Sequence, residues 1–249
     1  MIDTHVHLDL LDDGPALLAA AVVAGLTHVV SVGVDPRVPA HLRGPLPAGL
    51  VVVRALGLHP QEVTSDATID AALASLDAQL KDRGDDVVAV GECGFDARPD
   101  IGEASLHARA FAGQLALARR HDLPVVLHGV RRDAAMLAAL DDDVLAHGAP
   151  RARRGVWHGF SASTDTMKHA VKRGLFISVG FVVLNERARR LREAVPHIPA
   201  DRLVVETDAP PLPPARLRGV IEAVAALRGT SAQEIEELTA HNARALFGF

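Results

Sequence analysis

The sequence predicts an α/β fold, a (β/α)8 TIM barrel. Eight short, Val-rich apolar runs recur along the 249 residues, and stretches of helical period separate them. Barrels of this kind commonly run to about 250 residues. The runs are continuous rather than alternating, which marks strands buried on both faces, as in a parallel sheet. A doubly wound open sheet is the alternative for the same pattern. No linker of inter-domain length and no short repeat interrupts the order, so residues 1–249 read as one barrel domain.

The elements follow in turn. Run 2–6 precedes a helix-like stretch at 14–25. Run 28–34 leads into a Pro/Gly-rich connection at 35–50, the poorest helix candidate. Run 51–58 precedes helix 66–83, and run 87–91 precedes helix 103–121. Run 124–127 precedes helix 132–140, and run 155–157 precedes helix 163–174. Runs 175–179 and 203–206 precede helices 185–195 and 216–228. A last helix spans 231–247. Ser231 and Glu234, three residues apart at its start, have capping-box spacing.

Composition removes several classes. A single Cys cannot form an intrachain disulfide or a Cys-based zinc module. No apolar run approaches the roughly 18 residues of a membrane span, so no membrane partner is expected. The first residues show no basic segment followed by an apolar core, so a cytoplasmic location is expected; the sequence does not give the oligomeric state, and a monomer is the default expectation. A net charge of −5 and 3% aromatic residues argue against a basic nucleic-acid coat or a base-stacking platform. Charge is uneven: residues 1–125 carry net −8 and residues 126–249 net +3. The second half clusters its arginines at Arg131–Arg132, at Arg151, Arg153 and Arg154, and at Arg187, Arg189, Arg190 and Arg192. By themselves these read as solvated helix faces.

A barrel enzyme carries its chemistry at the C-terminal ends of its strands. His5 and His7 end the first run, two residues apart and therefore on one side of a strand. His59 follows the third run, Glu92 the fourth, His128 the fifth and His158 the sixth. Glu206 and Asp208 end the eighth. Any one of these has an ordinary explanation, a backbone-bonded His or a helix-capping Asp. Four His and two carboxylates ending five of eight strands on one face point to a metal centre. Lys81, Lys168 and Lys172 all fall in helix-like stretches, so a Schiff-base lysine or a carboxylated-lysine bridge does not fit. No GxGxxG, GxxxxGK[ST] or GxSxG occurs. Cys93 directly follows Glu92 and reads as a packed structural residue. Six donors exceed one tetrahedral zinc site and suit two divalent metal ions that share a bridging carboxylate. Zn, Mn and Mg are all compatible with mixed imidazole and carboxylate ligands.

The motifs together resemble the TatD family of metal-dependent hydrolases, the TatD-like deoxyribonucleases. The matches are DTHVHLD (3–9), GLHP (57–60), GECGFD (91–96), LPVVLH (123–128), HGFSAS (158–163), FISVG (176–180), ETDAP (206–210) and the ending AHNARALFGF (240–249). They cover the chain in collinear order. The resemblance implies a TIM barrel in which His5, His7 and Asp208 hold one ion and His128 and His158 the other, with Glu92 bridging. It further implies a phosphodiesterase that trims DNA as a 3′-to-5′ exonuclease. His59 then stands on the substrate side or behind the ligands as a support. The departures avoid the ligand positions. His107 stands where the family often has Gln, Ala97 follows Asp96 in place of an aromatic, and residues 211–219 lack the family's Asn-Glu.

The expected reaction is hydrolysis of a phosphodiester at DNA ends or in a small molecule. A divalent ion lowers the pKa of bound water from ~15.7 toward ~7. Asp208 would orient or deprotonate that water, with Glu92 as the other catalytic carboxylate. Arg131, three residues after His128, is the candidate phosphate contact, and Arg187 could extend it. Glu206 shares strand parity with Asp208 and reads as a supporting residue rather than a ligand. Two rivals stand beside this: the same centre acting on an acyl ester or amide, such as an aminoacyl-nucleic acid, and a non-catalytic metal-binding subunit.

Overall fold

The computed structural model describes residues 1–38, 45–148 and 155–249. The arginines at 151, 153 and 154 and residues 39–44 of the Pro/Gly-rich connection lie outside these. Eight parallel strands pair in sequence order: β1 (Ile2–Val6), β2 (His28–Val32), β3 (Val51–Leu56), β4 (Val87–Asp96), β5 (Val125–Val130), β6 (Gly155–Trp157), β7 (Leu175–Val179) and β8 (Leu203–Val205). Between and after them run α1 (Gly14–Val23), α2 (Asp66–Lys81), α3 (Ala104–Arg120), α4 (Asp133–His147), α5 (Thr164–Lys172), α6 (Arg189–Ala194), α7 (Leu217–Arg228) and α8 (Ala232–Phe247). Among the described residues no helix follows β2. No described helix is long and apolar enough to cross a membrane.

The seam between β1 and β8 closes the barrel. Val6 bridges Ala209, the His7 amide donates to Ala209 O (3.0 Å), and the Asp208 amide donates to His5 O (3.0 Å). Asp3, fully buried, accepts from Thr207 N (3.0 Å) and Thr207 Oγ1 (2.6 Å). Burial pushes its carboxyl up to about 7 against those hydrogen bonds. The seam therefore fixes the residues before and after both ends of the future site.

Strand alternation sorts the apolar side chains into two layers. Val30, Val53, Val126 and Val204 point into the barrel, where they meet Leu246 and Phe247 of α8. Leu18, Leu76, Phe111 and Leu140 fill the layer between strands and outer helices. The Ser231–Glu234 capping box starts α8 as its spacing predicts. Asn242 Nδ2 then donates to the carbonyls of Ala200 and Leu203, both at 2.7 Å, at the entrance of β8. So α8 plugs the N-terminal end of the barrel and leaves the C-terminal end for chemistry.

Three segments differ from the sequence expectation. β4 continues five residues past Gly91, because Gly94 lets it stay paired with β5. A Cβ at Gly94, whose φ is +146°, would stand 2.1 Å from His128 O. Helix α4 extends to His147. The expected helix over 185–195 shortens to α6, with residues 185–188 outside it and a separate single turn at Val195–His197 after it. The Asn185 side chain explains the late start: Oδ1 accepts from Arg187 N (2.9 Å), a local turn that competes with a helix.

Asn242→Ala is expected to lower stability by about 1–3 kcal/mol, since the buried Leu203 carbonyl and the Ala200 carbonyl lose their donor. Denaturant unfolding monitored by circular dichroism measures this. An unchanged midpoint and slope would mean that α8 is not anchored through Asn242.

Candidate metal centre

The strand ends bring every sequence-predicted donor to one point. His5 and His7 point the same way from β1, with their Nε2 atoms 3.2 Å apart. Nδ1 of His7 lies 2.8 Å from Val32 O. A carbonyl accepts only, so the ring proton sits on Nδ1 and the Nε2 lone pair faces inward.

Glu92 enters through a β-bulge. Gly91 pairs with Val126 and Cys93 with Leu127, so Glu92 is the extra residue between two paired positions. A bulge re-aims its side chain, and here it delivers a carboxylate that is 1% exposed. Cys93 stays in the packed layer, its thiol donating to Val126 O (3.7 Å), and burial pushes that thiol's pKa up. It is a structural residue.

The two oxygens of Glu92 face different donors. Oε2 lies 3.2 Å from His5 Nε2 and 3.5 Å from His7 Nε2. Oε1 lies 2.6 Å from His158 Nε2 and in close contact with His128 Nδ1. Asp208 Oδ1 stands 3.8 Å from both His5 and His7. The rings of His5 and His158 stack at 3.8 Å.

Neighbouring carboxylates orient the imidazoles. His128 Nε2 donates to Asp96 Oδ2 (3.0 Å), which turns Nδ1 toward Glu92. His158 Nδ1 lies 3.4 Å from Glu206 Oε1. Glu206 itself accepts from the Gly159 amide and from the Ser178 hydroxyl, so its oxygens are already occupied. A carboxylate or carbonyl behind a ligating imidazole is the usual way to fix its tautomer.

Charge follows from this crowding. Burial works against ionisation of Glu92, but His158, His59, His128 and His5 outweigh it and hold the carboxyl well below its ordinary value. For His158 and His128 burial again opposes the charge, and the carboxylates around them win, raising both. His5 is lowered, chiefly by burial. Burial raises the Asp208 carboxyl against the attraction of His158 and His5.

The donor chemistry fits divalent cations. Glu92 Oε2 is buried yet accepts no hydrogen bond among the described residues. Ligand atoms of His5, His7 and Asp208 lie within 4.8 Å of one another, as do those of His59, Glu92 and His128, and of His5, His158 and Glu206. Geometry separates these sets. His59 Nδ1 accepts from the Gln61 amide (3.0 Å), so its neutral ring carries the proton on Nε2. Burial lowers His59 to about 3, which keeps it neutral. His59 therefore presents an N–H, 3.6 Å from Glu92 Oε1, rather than a lone pair. Glu206 accepts one hydrogen bond on each oxygen and stands behind His158, the place of a carboxylate that orients a ligating ring.

Arg131 is exposed at φ 55° and Arg187 is exposed; neither lines the pocket over the centre. The guanidinium that does line it is Arg98, beside His128, His158, Asp208, Phe181 and Val182. Sequence reasoning missed the roles of Asp96, Arg98 and Gln114. Gln114 accepts from Leu58 N (2.8 Å) and donates to Leu58 O (3.1 Å), which fixes the loop carrying His59. For Asp96 a signal existed, its place within the GECGFD motif. Gln114 and Arg98 carry no motif of their own.

Fold and donor set define the class, a metal-dependent hydrolase built on a TIM barrel. The chain belongs to the TatD family: the family model described as TatD related DNase matches residues 2–248. It is 34% identical over 268 residues to "Uncharacterized metal-dependent hydrolase TatD" of Mycobacterium tuberculosis, covering 100% of this chain and 98% of that protein. It is 37% identical over 176 residues to "3′-5′ ssDNA/RNA exonuclease TatD" of Erwinia tasmaniensis, covering 65% of this chain and 66% of that one. The crystal structure of the TatD homologue YjjV from Escherichia coli matches with a TM-score of 0.86 at 29% identity, covering 100% of this chain and 98% of that chain.

Gly94→Ala is expected to push β5 away at His128, costing about 1–3 kcal/mol of stability and weakening divalent-ion binding. Thermal unfolding and metal titration measure the two effects. If neither moves, the close approach of β4 to β5 does not govern the centre.

Proposed function

We propose that this chain hydrolyses phosphodiesters, releasing nucleotides from the 3′ end of single-stranded DNA, with two divalent ions held between its strands. The observation that carries the reading is the split environment of Glu92. One buried carboxylate turns Oε2 to His5 and His7 and Oε1 to His128 and His158. That is the donor arrangement for a bridge, with Asp208 completing the first set. The name of the Erwinia relative supports the nuclease activity.

The ions would supply polarisation of the phosphoryl oxygens and acidification of water. The protein's own part lies in positioning and proton handling. Asp208 is raised by burial, which makes it a stronger base at Oδ1 or Oδ2 than a solvated carboxylate. It accepts the proton of the attacking water. His59 points its Nε2–H at Glu92 Oε1 (3.6 Å) and would help to hold that carboxylate in place. Phe181 and Val182, both half-buried, form an apolar wall against which one terminal base fits.

Purified protein stripped with a chelator should lose phosphodiester turnover and regain it on adding Mg²⁺, Mn²⁺ or Zn²⁺ singly. Metal analysis of the wild type should give two ions per chain, and Glu92→Gln should bind fewer. Asp208→Asn should lower kcat by roughly 10²–10⁴-fold with an unchanged circular dichroism spectrum. A 3′-ended single strand should be cut in preference to an acyl ester. Full activity in Asp208→Asn, or turnover of the acyl ester alone, would sink the proposal.

A further inference from the structure

We propose that Arg98 is the protein's phosphate-binding cation and that Asp96 is a positioning residue joining it to His128. The assignment rests on the phosphodiester reading above and gives its pocket an anion contact. The arginines that stand out in the sequence, Arg131 and Arg187, are exposed and do not line this pocket, whereas Arg98 does.

Arg98 is held in place before any ligand arrives. Its amide donates to Asp96 Oδ1 (2.8 Å), and its Nε (2.8 Å) and Nη2 donate to Asp96 Oδ2. Those contacts use one edge of the guanidinium. Nη1 has no protein acceptor among the described residues and is available to the pocket. A pinned, planar guanidinium loses little freedom when it binds a phosphate, and its fork matches two phosphoryl oxygens.

Asp96 offsets only part of the attraction, because it is enclosed behind the guanidinium it holds. The Asp96 side chain is fully enclosed, whereas that of Arg98 is 43% exposed. A ligand entering the pocket meets the guanidinium first. Asp96 Oδ2 also accepts from His128 Nε2 (3.0 Å). One carboxylate oxygen therefore anchors both the ring turned toward Glu92 and the cation turned toward the substrate. Moving either partner shifts the other, which couples phosphate seating to the orientation of His128.

The test uses inorganic phosphate as the probe, on metal-loaded full-length protein, by calorimetry. Arg98→Gln should raise the phosphate Kd about tenfold or more, the loss expected for charged hydrogen bonds. Arg98→Lys, which keeps the charge but not the fork, should fall between the two. On a phosphodiester, Arg98→Gln should raise KM more than it lowers kcat. Asp96→Asn should weaken phosphate and, read separately by chelator competition, reduce divalent-ion affinity by about 10–100-fold. A phosphate Kd unchanged in both Arg98 variants, or lost instead in Arg131→Gln, overturns the assignment. So does an Asp96→Asn protein with wild-type ion affinity. If the wild type binds phosphate through Arg98 but turns over no phosphodiester, the reading of the reaction fails and the anion site stands. If turnover persists in Arg98→Gln with unchanged Kd, the reverse holds.

Discussion

Glu92 is a buried carboxylate in an enclosure of imidazoles, and the rest of the site is arranged around it. Left alone, a charge that is 1% exposed would cost several kcal/mol. His5, His7, His59, His128 and His158 all bring a ring nitrogen within 3.6 Å of its oxygens. Their dipoles and partial charge keep the carboxyl ionised. The same crowding brings together imidazoles that would repel one another if all were protonated. Divalent cations would resolve both tensions at once, because they would neutralise the carboxylates and take the imidazole lone pairs.

The barrel supplies what this arrangement needs, which is convergence without flexibility. Five strands deliver the donors, and each is held by neighbours on both sides. The β1–β8 seam matters most, since His5 and His7 lie on one side of it and Asp208 on the other. Asp3 ties to Thr207, and the Asp208 amide to His5 O, so the two ends cannot drift apart. Asp208 sits at φ 56°, a left-handed conformation that Asp tolerates better than most residues. Helix α8 packs against the opposite end of the barrel, away from the centre.

Behind the donors stands a second layer with its own logic. Asp96 faces His128, Glu206 faces His158, and Val32 O faces His7. Each decides which ring nitrogen is free. The same distinction removes His59 from the donors, since its inward nitrogen carries a hydrogen. Residue type alone does not distinguish these cases; the partner of the outward nitrogen does.

Much was legible in the sequence. The apolar runs specified eight strands in order, because a strand buried on both faces must be apolar throughout. His5 and His7 declared a shared face through their spacing, and the remaining donors lay where a barrel opens. Ser231 and Glu234 announced the start of α8, since a capping box is a local contact. Other features depended on contacts distant in the chain. The extension of β4 to Asp96 required the approach of β5 across Gly94, and the bulge that aims Glu92 exists only in that pairing. Asn185 delayed the start of an expected helix through a turn that helical period does not register. Arg98, not Arg131, came to the pocket because Asp96 holds it there. Periodicity and spacing report what a residue does to its near neighbours. The tautomer of a ring, the direction of a carboxylate and the choice among arginines are decided by partners brought from elsewhere in the chain, and those exist only once the barrel has closed.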